Sequence, residues 1–111
     1  RAGARVCEIG RAVEGEVRRE GFSVIRELGG HGIGRTIHEE PRVPNYYDRS
    51  ANQMLTEGMV ITVEPIIAAG RGDAVVERNG WTVRTVDRSS SAHYEHTIVI
   101  TTDMPLILTA A

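Results

Sequence analysis

The sequence predicts an α+β fold, with one amphipathic helix on a mainly antiparallel sheet. Three observations carry that expectation. Apolar residues recur at helical spacing near the start of the chain. Several β-branched runs follow, separated by glycine, proline and polar residues. An Asn-Gly pair joins two of those runs, and it is the strongest short hairpin signal a sequence offers. The 111 residues suit one small domain.

The helix is expected over about Ala4 to Glu20. Val6, Ile9, Val13 and Val17 fall on one face, Glu8, Arg11, Glu14, Arg18 and Arg19 fall largely elsewhere, and Gly21 is the stop. Cys7 borders the apolar stripe and reads as a small buried hydrophobe rather than a reactive thiol. Phe22 to Arg26 is a short strand candidate. From Pro41 to about Glu57 the chain reads as irregular, and Tyr46 and Tyr47 there read as loop packing. Met59 to Glu64 is a strong strand stopped by Pro65. Ala74 to Glu77 and Trp81 to Thr85 flank Arg78-Asn79-Gly80 as a hairpin. Asp87 to Ala92 is a polar loop, His93 to Thr101 one β-branched run, and Leu106 to Leu108 a last strand. One helix covers only part of such a sheet, so apolar surface is expected to stay exposed.

Composition narrows the function. The net charge is -2, and glutamates are interleaved among the arginines of the helix, which argues against nucleic acid and membrane partners. No apolar run approaches spanning length. A single cysteine rules out an internal disulfide and suits a reducing cytoplasm. The chain begins at Arg1 without a starting Met, and it is expected to be truncated at its N-terminal side.

The chemistry concentrates around His31. Gly29, Gly30, Gly32 and Gly34 surround it and lack the Cβ atoms that would hold a backbone away from a ligand. Glu64 ends the run Met59-Val60-Ile61-Thr62-Val63 and shares a strand face with Thr62 and Val60. Two readings of Glu64 stay open: an edge glutamate in water, or a buried carboxylate needing a cation or several donors. Glu95 repeats the pattern, and a solvated strand end is again the alternative. One imidazole and two carboxylates suit borderline ions such as Mn, Fe, Co or Zn. Paired ions bridged by a carboxylate are a recurring hydrolase device that polarises a carbonyl and activates water. His38 is followed by Pro41 and has no histidine at the helical spacing of a zinc motif, so hydrogen bonding to substrate suits it better. Gly30-His31-Gly32-Ile33-Gly34 lacks the spacing of a dinucleotide loop, and Ser89-Ser90-Ser91 lacks a nucleophile elbow.

Four motifs in register give a family resemblance. They are Gly30-His31-Gly32-Ile33-Gly34-Arg35 with His38-Glu39-Glu40-Pro41; Gly58-Met59 with Thr62-Val63-Glu64-Pro65; Asn79-Gly80-Trp81-Thr82-Val83; and Asp87-Arg88-Ser89 with Ser91-Ala92-His93-Tyr94-Glu95-His96-Thr97-Ile98-Val99. Together they resemble type I methionine aminopeptidase, of metallopeptidase family M24, over nearly the whole chain. The resemblance implies that residues 1–111 are the C-terminal part of its catalytic domain, half of a pseudo-symmetric pita-bread fold. It implies that His31, Glu64 and Glu95 are metal ligands, with Glu64 also taking part in proton transfer and Glu95 bridging two divalent ions (Co, Mn, Fe or Zn). It implies that His38 contacts the scissile peptide and that Trp81 lines the methionine pocket. The activity implied is removal of the initiator methionine from nascent polypeptides, near the ribosome, by a cytoplasmic enzyme that is a monomer when complete. An Xaa-Pro-type peptidase of the same family and a non-catalytic degenerate module are the alternatives.

Two residues depart from the family pattern. Ile37 stands where an aromatic is expected, and His93 where the family usually has Gln. A larger departure lies upstream. The family takes two aspartate ligands from the half preceding the metal histidine, yet the aspartates here are Asp48, Asp73, Asp87 and Asp103. The chain alone is therefore expected to be weakly active or inactive.

Overall fold

The apolar residues at helical spacing form one helix, α1 (Val6–Arg19), in the computed structural model, which describes residues 1–110. Val6, Cys7, Gly10 and Val17 are its buried residues, so Cys7 is the small hydrophobe its position implies. Past the last turn Gly21 takes a φ of +82°. Its N–H donates to the Arg18 carbonyl, and the Phe22 N–H donates to the Val17 carbonyl. This is a Schellman cap, whose left-handed residue favours glycine.

Ten strands follow: β1 (Ser23–Val24), β2 (Gly29–Gly32), β3 (Glu39–Pro44), β4 (Val60–Val63), β5 (Ile66–Ala68), β6 (Ala74–Val76), β7 (Val83–Thr85), β8 (Ser91–His93), β9 (His96–Val99) and β10 (Leu106–Ile107). Five make an antiparallel sheet in the order β10-β9-β4-β2-β3, three make a second in the order β1-β5-β8, and β6 and β7 form a hairpin. The core lies between α1 and the larger sheet. Val6, Val43, Leu55, Ile61 and Ile100 meet there, none more than 2% exposed. Tyr46 and Tyr47 pack beneath the guanidinium groups of Arg26 and Arg11, which supports the loop-packing reading.

Three local expectations are corrected. The segment after Pro41 is not irregular from the outset, because β3 continues to Pro44 and pairs with β2. Its two prolines are compatible with a strand because β3 is the edge of its sheet, with Pro41 where the β2–β3 register shifts and Pro44 at the strand's end. Pro65 interrupts pairing without ending it, because β5 begins one residue later. The run from His93 is not one strand. It breaks at Tyr94-Glu95, and the pairing starts earlier, at Ser91.

These last two corrections have one origin. In β4/β9 the partners run Val60↔Val99 to Val63↔His96, and in β5/β8 they run Ile66↔His93 to Ala68↔Ser91. The register is the same throughout, and the Tyr94 N–H bonds the Pro65 carbonyl in between. A single antiparallel ribbon therefore passes from the larger sheet into the smaller one and bends at Glu64-Pro65 and Tyr94-Glu95.

The bend is followed by a tied loop. Ser89 Oγ donates to Asp87 at 2.7 Å, the Arg71 N–H at 2.8 Å and the Ser89 N–H at 3.0 Å. These donors hold the exposed Asp87 carboxyl down at about 2, the Ser89 hydroxyl most of all. The folded value lies below the unfolded one, so the stability these bonds give is complete above the ordinary carboxylate range. It is lost as the pH falls from about 4 through about 2. A carboxyl carbon NMR titration is expected to find the Asp87 midpoint near 2, with the Arg71 and Ser89 amides moving in step; a midpoint near 4 would refute the tie.

Candidate metal centre

The bend in the ribbon is where the candidate residues converge. Glu64 and Glu95 stand one register step beyond Val63↔His96, directly opposite each other on neighbouring strands. Like charges so placed repel each other across a sheet. His31 comes from β2 on the other side of β4, because Gly32 pairs with Ile61. Donor atoms of His31, Glu64 and Glu95 all lie within 4.8 Å of one another. Of the two readings of Glu64, the buried one holds: it is 8% exposed. Among the described residues no arginine pairs with Glu64 or Glu95, so the charge gathered here has only histidines beside it.

Backbone and side chains fix the orientation of each group. His31 Nδ1 stands 2.9 Å from the Gly32 carbonyl oxygen. An Nδ1–H donated there leaves Nε2 with a free lone pair, facing Glu64 Oε1 at 3.4 Å. The buried Thr62 hydroxyl accepts the His31 N–H at 3.0 Å and donates to Glu64 Oε1 at 3.3 Å. Asn45, fully buried at the end of β3, donates from Nδ2 to the Glu64 carbonyl at 2.8 Å. One imidazole and two carboxylates, one of them buried and lacking any guanidinium, fit a divalent ion of the Mn, Fe, Co or Zn group.

His38 lies beside this group. Its ring meets the His31 ring edge to face, with centroids 4.3 Å apart. It belongs to the exposed turn between β2 and β3, where the Thr36 hydroxyl donates to the His38 carbonyl. Trp81 does not join the cluster. It is 88% exposed in the β6–β7 hairpin loop, where its N–H and that of Thr82 bond the Asn79 side chain. Ile37, on the turn, is also exposed. The residue that sequence reasoning undervalued is His93. Its Nε2 is 3.1 Å from Glu64 Oε2 and 3.7 Å from Glu95 Oε2. The only signal for it was its departure from the family pattern; for Asn45 there was none.

A cluster of imidazole and carboxylate donors at the junction of two antiparallel sheets has the chemistry of a candidate divalent-metal centre. Residues 1–102 match metallopeptidase family M24, and the chain belongs to that family. It is 51% identical over 107 residues to a methionine aminopeptidase of Escherichia coli K12, covering 96% of this chain and 40% of that protein. The crystal structure of methionine aminopeptidase from Rickettsia prowazekii is 43% identical and superposes with a TM-score of 0.93, covering 99% of this chain and 45% of that one. The prolidase of Pyrococcus horikoshii is more distant, at 27% identity and a TM-score of 0.69. The chain thus spans about two fifths of the length of the methionine aminopeptidases it matches, and it takes the expected half of the pita-bread arrangement.

Proposed function

We propose that the chain supplies the C-terminal part of the catalytic domain of a type I methionine aminopeptidase. The complete protein removes initiator methionine from new polypeptides in the cytoplasm, close to the ribosome, and works as a monomer. The observation that carries this reading is the convergence of His31 from β2 with Glu64 and Glu95 from the bend of the ribbon. These three residues would hold the divalent ions. A bound ion supplies Lewis acidity toward the peptide carbonyl and a water of lowered pKa. Glu64 also takes part in proton transfer. The exposed His38, beside His31, donates a hydrogen bond to the carbonyl oxygen of the first peptide as charge develops on it. Trp81 contributes to the wall for the methionine side chain from its hairpin.

The exposed apolar surface fits this reading. Trp81, Tyr94, Met104, Leu106 and Leu108 are all more than half exposed, as expected of residues that face a second half. The chain alone therefore has an incomplete pocket and is weakly active or inactive. Methionine is favoured over Xaa-Pro peptides because the similarity to methionine aminopeptidases far exceeds that to the prolidase.

The test is methionine release from a Met-Ala-Ser peptide with manganese or cobalt. It is run on the chain alone and on the chain joined to an upstream half bearing two aspartates. Release is expected only from the joined protein. A joined protein that cleaves Xaa-Pro dipeptides and spares Met-Ala-Ser would overturn the substrate, and efficient release by the chain alone would overturn its incompleteness.

A further inference from the structure

The peptide between Glu64 and Pro65 has no N–H, so only its carbonyl can fix that plane by hydrogen bonding. The register tells which way this carbonyl points. The Ile100 N–H donates to the Met59 carbonyl and the Tyr94 N–H to the Pro65 carbonyl, so hydrogen-bonded pairs fall at alternate residues from Met59 to Pro65. Glu64 and Glu95 are then a non-hydrogen-bonded pair, with side chains close together and carbonyls turned to the opposite flanks. On the flank that the Glu64 carbonyl faces, the neighbouring strand changes from β2 to β1. Before the change the Ile33 N–H donates to the Val60 carbonyl at 3.1 Å, and after it the Ile25 N–H donates to the Ile66 carbonyl at 2.9 Å. At Glu64, between the two, the donor is a side chain, Asn45 Nδ2, at 2.8 Å. Asn45 is held in turn by α1. A methyl group on Gly10 would overlap the Tyr46 carbonyl and crowd that of Pro44, on either side of Asn45. The Tyr47 N–H donates to the Glu14 carboxylate at 3.0 Å.

We propose that Asn45 is the positioning residue of the metal centre: it carries the placement of helix α1 to the Glu64-Pro65 peptide and so aims the Glu64 carboxylate at the ion. The Thr62 hydroxyl restrains that carboxylate at its far end, and Asn45 restrains the backbone from which it springs. Packing does not account for the amide. Asn45 is fully buried, yet among the described residues nothing bonds its Oδ1. A buried polar atom without a partner costs stability, and a leucine would fill the same space without one. Turning the amide over would set that oxygen against the Glu64 carbonyl, so the observed orientation is the bonding one. The proposal rests on the reading that His31, Glu64 and Glu95 hold a metal, and it is independent of the substrate.

The test needs no turnover. The unmutated chain, Asn45→Leu and Ile100→Val are titrated with cobalt, with calorimetry giving the affinity and the visible absorption of the bound ion reporting its geometry. Asn45→Leu is expected to bind cobalt about 10–100-fold more weakly and to change the absorption spectrum. Ile100→Val trims a buried core residue away from the bend, so it lowers the melting point and moves neither readout. Asn45→Leu with unchanged affinity and spectrum would overturn the proposal. So would an equal loss of affinity in Ile100→Val, because stability alone would then explain the effect. A second measurement uses only the unmutated chain and decides the matter if Asn45→Leu does not fold. NMR coupling across the hydrogen bond from the Asn45 side-chain nitrogen to the Glu64 carbonyl carbon is expected to be present and to change when zinc binds. A coupling that is absent, or indifferent to zinc, would overturn the proposal. An unmutated chain that takes up no cobalt or zinc would overturn the metal-centre reading and this proposal with it, whereas the other contrary results strike the proposal alone.

Discussion

Glu64→Gln is expected to weaken manganese binding by more than about 100-fold and, in the metal-free chain, to leave the fold as stable as before or slightly more so. The first half follows from the position of the carboxylate. Both of its oxygens face imidazole nitrogens, and its donors lie within 4.8 Å of those of His31 and Glu95. Disturbing a residue that merely orients a metal ligand costs about 10–100-fold in affinity, so removing a ligand itself costs more. The second half follows from Glu95. Two carboxylates directly opposite in an antiparallel pair repel each other by a few tenths to roughly 1 kcal/mol, and an amide at position 64 relieves that. Glutamine keeps the shape and can still accept from the Thr62 hydroxyl. Calorimetry with manganese and thermal melts with and without the ion separate the two effects. Unchanged affinity would show that His31 and Glu95 hold the ion without Glu64. A metal-free melting point lowered by more than about 5 °C would show that the carboxylate is needed by the fold itself.

How much of this was legible beforehand depends on how local the signal was. The helix, the β4 run and the Asn79-Gly80 hairpin are written in contiguous residues, and all three formed where expected. The β3 strand was hidden by Pro41 and Pro44, because a sequence does not reveal which strand becomes an edge. Of the bend, Pro65 reads in the sequence as a strand end and Tyr94-Glu95 as the interior of one run. Only the pairing register shows that they are one, and pairing is a long-range property. Glu64 and Glu95 were identifiable as costly carboxylates in or beside apolar runs and His31 by the glycines around it, which together suggested a metal site, but the spacing of the three in the sequence does not show that they converge. His93 stood out as an unusual residue, while its contact with Glu64 came from the same register that the sequence concealed.

The glycines around His31 were also read for the wrong neighbour, and Gly30→Ala shows the consequence. Their missing Cβ atoms suggested room for a ligand. At Gly30 a methyl group would instead overlap the backbone carbonyl oxygen of Thr62. The residue is glycine because β2 and β4 pack backbone to backbone there. Nothing flexible can move aside, so the strands must part. Overpacking of this kind costs typically 1–3 kcal/mol and occasionally more. For a domain of this size that lowers the melting point by roughly 5–20 °C. The same separation pulls the His31 N–H from the Thr62 hydroxyl, and with it the geometry between His31 and Glu64. Manganese affinity is therefore expected to fall together with stability. Gly34→Ala is the matched control. There the new methyl meets only the end of the exposed Glu39 side chain, which can swing away at the cost of its hydrogen bonds from Thr36, and the melting point is expected to stay within a few degrees. If both variants melt like the unmutated chain, β2 and β4 are not held at this distance. If Gly30→Ala alone is destabilised yet binds manganese normally, the hydroxyl relay through Thr62 does not position the site.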